Sequence, residues 1–258
     1  AWGGRCGGDP TQPGELKMTW HDEFEGEAGT LPDPANWRFD VGGDGWGNNQ
    51  LEFDTNRAKN ASLDGLGHLS ITAYRESYQG RNYTSARINT RALFSQAGGR
   101  FEARIKLPSG QGLWPAFWML GDDFGTVGWP NCGEIDIMEY RGQEPNAVHG
   151  SLHGPGYSGG AAITRKYTLP SGTFDGGFHV FAVEWSTDSI TWLVDGKSYR
   201  TVTRSNLPGS ARWVFDHPFF ILLNVAVGGN FVGPPSSTTT NFPTSMTVDW
   251  VRVYQAAP

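Results

Sequence analysis

The chain has 258 residues, with 36 Gly, 16 Pro and 11 Trp, 18% charged residues and a net charge of −6. Low charge with many aromatics excludes a disordered chain. Irregular glycine spacing excludes a collagen-like one, and the absence of heptads or long Gly- and Pro-free stretches argues against a helical bundle.

No apolar run approaches the roughly 18 residues of a membrane span. With no basic stripe or basic amphipathic helix, neither nucleic acid nor a membrane surface is expected as a partner. There is no internal repeat or linker, so residues 1–258 read as one domain and the expected state is a monomer. Cys6 and Cys132 are compatible with secretion and could form one disulfide, although nothing in the sequence pairs them. The first residues lack a basic segment followed by an apolar one, so a secreted protein would here be read as its mature chain.

Short β-like segments separated by turns recur along the chain. A helical turn is expected near Pro34–Trp37. GWGNNQLEF (45–53) is a Gly/Asn loop entering a strand, and it offers the Asn48 amide to a ligand hydroxyl or to plain turn chemistry. HLSITA and TSARINT are strand candidates. In the second, Arg87 is either a cleft residue or a solvated charge. FEARIKL alternates Phe101, Ala103, Ile105 and Leu107 against Glu102, Arg104 and Lys106, the period of a half-buried strand. In WPAFWML, Trp114 and Trp118 share one face and Phe117 and Met119 the other.

Further along, HGSLHGPG places His149 and His153 on one strand face, and no third zinc ligand is evident at suitable spacing. HVFAVEW, FFILLNVAV and MTVDWVRVY are strands, and Asp195-Gly196 in ITWLVDGKSYRTV signals a hairpin. A second helical turn is expected at Ala211–Phe215, and Gly228–Asn241 reads as a long loop. About a dozen or more short strands predict an all-β sandwich of two antiparallel sheets. Walker loops, G-x-S-x-G elbows and zinc-type cysteine pairs are all missing.

The most informative segment is Gly133–Tyr140, GEIDIMEY. Glu134 and Asp136, two apart, share a strand face. Glu139 lies an odd five residues from Glu134 and would point into the sandwich core, at a cost of several kcal/mol or a large pKa shift. One extra residue in a β-bulge removes the conflict, so a bulge is expected around Ile137–Met138.

Retaining hydrolysis of a glycosidic bond uses two carboxyls about 5–5.5 Å apart, one attacking the anomeric carbon and one protonating the leaving oxygen. A third acid between them tunes both. An acidic face open to water would look similar. A bound cation is the weaker reading, because carboxylates spread along a strand do not readily form a compact oxygen cage. Tryptophans beside such acids suit the C–H face of a sugar but also suit a sandwich core. Trp114 and Trp118 lead here, with Trp46 and Trp129 in Gly-containing loops as secondary candidates.

GEIDIMEY, preceded by LWPAFWML and followed by VHGSLHGPGY, resembles the family 16 glycoside hydrolases. The bacterial laminarinase (endo-β-1,3-glucanase) branch is the most similar. MTWHDEF, GNNQLEF, TSARINT, GRFEARIKLP, FHVFAVEW, FFILLNVAVGG and VDWVRVYQ extend the resemblance over more than two hundred residues.

The resemblance implies a β-jelly roll with a concave cleft and retaining, endo-acting hydrolysis of β-1,3-glucan, with mixed-linkage glucan as a further substrate. It implies Glu134 as nucleophile, Glu139 as general acid/base and Asp136 as the assisting acid. The chain has the E-x-D-x-x-E version of the motif, not the shorter E-x-D-x-E of lichenases, which agrees with the bulge. The resemblance also suggests Trp114 and Trp118 as sugar platforms, and Asn48, Arg87 and His153 as cleft contacts. No cofactor is implied for catalysis. A structural calcium on the convex side would match Glu23, Gly67 and Asp249. Two other readings fit the same residues: a non-catalytic jelly-roll carbohydrate-binding protein, and a hydrolase of the same family acting on another polysaccharide.

Overall fold

A computed structural model describes residues 16–256, so Cys6 and its pairing lie outside the described residues. In chain order the first strands are β1 (Leu16–Asp22), β2 (Arg38–Asp40), β3 (Glu52–Asp54), β4 (Ala61–Leu63), β5 (Leu69–Tyr78), β6 (Arg81–Ser85), β7 (Arg87–Asn89), β8 (Gly99–Lys106) and β9 (Leu113–Gly121). A single helical turn α1 (Phe124–Val127) precedes β10 (Glu134–Glu139), β11 (Ala147–His153) and β12 (Ile163–Thr168). The last strands are β13 (His179–Trp185), β14 (Ser189–Val194), β15 (Lys197–Thr203), β16 (Phe219–Val227) and β17 (Thr244–Ala256).

Ten strands form one sheet, in the order β15-β14-β13-β8-β17-β5-β6-β3, with β1 beside β17 and β4 beside β5. Seven form the other, in the order β12-β11-β10-β9-β16-β7-β2. All pairings are antiparallel except β3 with β6. This is the expected two-sheet sandwich.

Alternation places the side chains. Phe101, Ala103, Ile105 and Leu107 are buried as their period of two requires. β16 is buried along its whole length. Its Phe219, Ile221, Leu223, Val225 and Val227 enter the main core. Phe220 and Leu222 join Leu120 and Cys132 in a smaller cluster, against which Trp118 and Phe124 pack. A central strand that is apolar at every position but Asn224 thus supplies a largely dry floor to the seven-stranded sheet. Burying each such side chain stabilises the fold by about 1.5–3 kcal/mol. Burial also pushes the Cys132 thiol up to about 11, and it donates to the Gly133 carbonyl at 3.4 Å.

Three expectations are refined. TSARINT is not one strand. It breaks at Ala86 into β6 in one sheet and β7 in the other, so Arg87 belongs to the seven-stranded sheet. Ala211–Phe215 forms no helix, because Trp213, Val214 and Phe215 are all buried and a single helical turn cannot bury three successive side chains on one face. Near Pro34–Trp37 a turn does form, with the Asn36 and Trp37 amides donating to the Asp33 carbonyl. The β14–β15 hairpin turns on Asp195 and Gly196, both at positive φ (50° and 78°), as a two-residue primed turn demands.

Candidate active site

β10 carries the bulge that the odd spacing predicts. Against β9, Asp136 faces Trp118 and Met138 faces Phe117, so Ile137 has no partner. Against β11, the three steps from Asp136 to Glu139 match only two, from Ser151 to His149. Ile137 and Met138 both enter the core, and Glu139 returns to the face of Glu134 and Asp136.

The strand is held from below by Trp192 of the opposite sheet, whose Nε1 donates to the Asp136 carbonyl at 2.9 Å. Gly150 makes room for that indole. A Cβ there would stand 2.5 Å from Trp192 Cδ1 and 2.6 Å from the Tyr199 hydroxyl oxygen.

Each acid has a partner that fixes its side chain. Trp129 Nε1 donates to Glu134 Oε2 at 2.6 Å, and Trp114 Nε1 donates to Glu139 Oε2 at 3.0 Å. His153 Nε2 lies 2.9 Å from Asp136 Oδ2 and 3.9 Å from Glu134 Oε1. The Gly159 amide donates to His153 Nδ1 at 3.1 Å, which leaves Nε2 as the nitrogen that donates to Asp136.

Burial, then the charges of Glu134 and Glu139, hold the Asp136 carboxyl well above the usual range, so it carries a proton between the two glutamates. Burial and the Glu134 charge raise Glu139 to about 7, against the opposing pull of the Trp114 indole. Glu134, Asp136 and His153 bring ligand atoms within 4.8 Å of one another. That is more compact than spacing along one strand suggests, because β11 sets His153 directly opposite Glu134.

A row of polar and aromatic groups crosses the strands beside the acids. Trp118 Nε1 donates to Asn224 Oδ1 at 2.8 Å. The Arg87 guanidinium lies 4.9 Å from the Trp118 ring and 4.5 Å from the Trp46 ring, a cation between two π faces. Arg87 Nε donates to Asp40 Oδ2 at 2.9 Å, and Trp46 Nε1 donates to Asp54 Oδ2 at 2.8 Å. The Arg87 side chain is therefore held among Asp40, Trp46 and Trp118 and is not a freely solvated charge.

Asp54 is buried and raised to about 7. Burial and the neighbouring Asp54 also hold Glu52 well above the carboxylate range. Asn48 is tied into the loop wall, where its carbonyl accepts from the Asn230 amide at 2.8 Å and its side-chain amide donates to the Trp46 carbonyl at 3.4 Å. Gly229 lets this wall approach Trp114. Its φ is +106°, and a Cβ would lie 3.0 Å from the Asn48 carbonyl oxygen. Phe231 covers the far side of Trp114, with ring centroids 5.1 Å apart.

Trp114 and Trp118 are both on the cleft face, but each spends its N–H on a fixed partner. Trp129 is the more exposed ring, at 45%. Glycine-loop position alone could not rank it above the strand tryptophans. Asn224 was missed, although its signal was present as the only polar residue in FFILLNVAV. Asp40, Asp54 and Phe231 carried no signal, since their roles arise from long-range contacts.

The three residues matched to calcium lie on the other sheet and its edges. The Glu23 carboxylate is taken by Arg252, with Nη2 at 2.5 Å, and by His21. Asp249 Oδ2 accepts from Arg104 at 2.6 Å, while its Oδ1 lies 3.7 Å from His68 Nε2. Gly67 has φ +85° and packs against the Glu25 carboxylate. Both acid side chains are thus held by arginines, Glu23 by Arg252 and Asp249 by Arg104.

Comparison with known proteins agrees with this geometry. Residues 46–252 match the model of the glycosyl hydrolases family 16. The Beta-glucanase of Rhodothermus marinus is 43% identical over 246 residues, covering 93% of this chain and 85% of that protein. The Glucan endo-1,3-beta-glucosidase A1 of Niallia circulans is 39% identical over 96% of this chain, which spans 39% of that longer protein. The crystal structure of an endo-beta-1,3-glucanase from Pyrococcus furiosus superposes with a TM-score of 0.89 at 46% identity, covering 95% of this chain and 96% of that one. With the sandwich, the bulged acid strand and these matches together, the chain belongs to the glycosyl hydrolases family 16.

Proposed function

We propose that the protein is an endo-acting, retaining β-1,3-glucanase that also accepts mixed-linkage β-1,3-1,4-glucan. The observation that carries this is the bulge, which gathers Glu134, Asp136 and Glu139 on one face with Glu139 raised to about 7. A general acid must hold its proton at working pH, and Glu139 does so in the neutral range. Glu134 is the nucleophile. Trp129 orients its carboxylate for attack on the anomeric carbon. As the glycosidic bond breaks, Glu139 gives its proton to the leaving oxygen and the glucosyl unit stays bound to Glu134 as an ester. Glu139, now a carboxylate, takes a proton from water, which attacks the same carbon and releases Glu134.

Asp136 sits between them with its shared proton. It donates toward Glu134 as negative charge returns there, while His153 holds it in place. Trp118, Arg87 and Trp46 form a platform across the strands for neighbouring sugar units, with Trp114 and Asn48 walling the cleft. A non-catalytic binding protein would have no need of three oriented acids, and a sulfated substrate would favour a more basic chain than one of net charge −6.

The further reading is a secreted, monomeric, single-domain enzyme, with a structural calcium held by carbonyls near Glu23 and Gly67 and by Asp249. The functional test is reducing-end release from linear β-1,3-glucan. Wild type is active, and Glu134→Gln and Glu139→Gln are each folded and inactive. Near-wild-type activity in either variant refutes the assignment.

A further inference from the structure

We infer that Asp54 is a positioning residue for substrate chain length: through the Trp46 indole it holds a sugar-binding wall three strands from the acids, and so acts only on glucans long enough to reach that wall. The inference rests on the glucanase reading above and extends it to a residue that touches no sugar.

Strand register puts the wall on the face of the acids. Glu139 on β10 pairs with Ala116 on β9, and Ala116 with Asn224 on β16. Asn224 pairs with Arg87 on β7, and Arg87 with Asp40 on β2. Directly paired residues share a sheet face. Arg87 is therefore in the row of Glu139, three strand spacings or roughly 14 Å from it. A sugar against Arg87 and Trp46 is a remote unit of the chain, not the one whose bond breaks.

Trp46 is half-buried and needs an anchor. It has φ +52° between Gly45 at +90° and Gly47 at +75°, a conformation that bulky residues avoid. Its ring lies against Gly42, where a Cβ would stand 3.5 Å from Trp46 Cζ2, and the Arg87 guanidinium lies 4.5 Å from the ring. The indole N–H donates to Asp54 Oδ2 at 2.8 Å.

Asp54 is itself fixed on both sides. Its amide donates to the Gly42 carbonyl at 2.8 Å, and its carbonyl accepts from the Gly42 amide at 3.1 Å. The next amide, of Thr55, donates to the Ser85 carbonyl at 3.0 Å. Gly42 follows Asp40 closely and Ser85 shortly precedes Arg87, so both ends of the Asp40–Arg87 ion pair are tied to the backbone around Asp54.

As a fold element alone, an acid here is costly. Asp54 is 1% exposed, and its Oδ1 has no hydrogen-bond partner among the described residues. Burial raises its carboxyl to about 7, against the pull of the Arg87 charge and the Trp46 N–H. An apolar side chain of the same shape would be buried at lower cost. It would also leave the indole N–H unpaired and the ring without its anchor.

The test compares wild type, Asp54→Leu and Asp54→Asn at pH 6, where Asp54 is protonated and the amide matches it in charge and keeps an acceptor for Trp46. The substrates are a β-1,3-gluco-hexasaccharide and an activated aryl glycoside of the β-1,3-linked disaccharide, which is too short to reach the wall. Thermal melts report folding. Asp54→Leu is expected to raise KM for the hexasaccharide about tenfold with kcat changed less, and to leave kcat/KM on the short glycoside within about twofold. Asp54→Asn is expected within about twofold of wild type on both. Equal losses on both substrates, no loss on either, or Asp54→Asn as impaired as Asp54→Leu overturns the inference. If Asp54→Leu does not fold, Trp46→Phe decides, because it keeps a ring and removes the N–H. A hexasaccharide KM raised to the same extent supports the inference, and a wild-type KM overturns it. A wild type inactive on both substrates would refute the glucanase reading instead.

Discussion

Replacing Glu139 by Gln removes a carboxyl whose ionisation the fold resists. In the unfolded chain this group ionises near 4.5, and in the folded protein near 7, because burial and the Glu134 charge disfavour the carboxylate. Between those values the unfolded chain binds fewer protons than the folded one, so rising pH favours unfolding. The destabilisation is absent below about pH 4.5, grows up to about pH 7 and is constant above. At 1.36 kcal/mol per pH unit it amounts to about 3 kcal/mol. For a chain of this size that is roughly 6–12 °C in Tm. The amide keeps an acceptor for Trp114 Nε1 and carries no charge. It also removes one of the charges that raise Asp136, a change in the same direction. Thermal unfolding of wild type and Glu139→Gln between pH 4 and pH 8 should show the wild-type Tm falling more steeply with pH, while the variant is inactive throughout. Parallel pH dependences in the two proteins would refute the reasoning that Glu139 holds its proton through burial and the Glu134 charge.

Trp114→Phe removes the indole N–H that pulls the Glu139 pKa down. The alkaline limb of kcat/KM should move above its wild-type position near pH 7, with a lower plateau, as read from a pH–rate profile. Arg87→Met takes away the cation between Trp46 and Trp118. KM for β-1,3-gluco-oligosaccharides should rise roughly tenfold with kcat changed less, because the platform lies beside the acids and not on them. Calcium added to chelator-treated protein should raise the Tm by a few degrees, and Asp249→Ala should abolish that response without touching kcat.

How much of this was legible depended on whether a residue's environment is local or assembled. The bulge was legible because burial is a per-residue constraint: an odd spacing between acids on an apolar strand leaves a buried charge or an extra residue. The Asp195-Gly196 hairpin was legible because positive φ selects its residues. The break at Ala86 was not, since a chain crossing between sheets keeps the same β-prone composition on both sides. The second acid pair, Glu52 and Asp54, was equally hidden. In sequence GNNQLEFD looks like a polar strand entry. Only the contacts with Trp46, Arg87 and the Val227 amide show that both acids are buried. The bond from Trp129 to Glu134 was hidden for the same reason, since it depends on the path of the loop.

The division of labour between the two glutamates is tested most directly by azide rescue. In Glu139→Gly, an activated β-glucoside still forms the ester on Glu134, and azide enters from the face that Glu139 vacated. The predicted product is the β-glycosyl azide. In Glu134→Gly no ester forms, azide attacks from the opposite face, and the α-glycosyl azide is predicted. Proton NMR of the anomeric centre distinguishes them, and the reverse pairing of variant and anomer would contradict the roles assigned to Glu134 and Glu139.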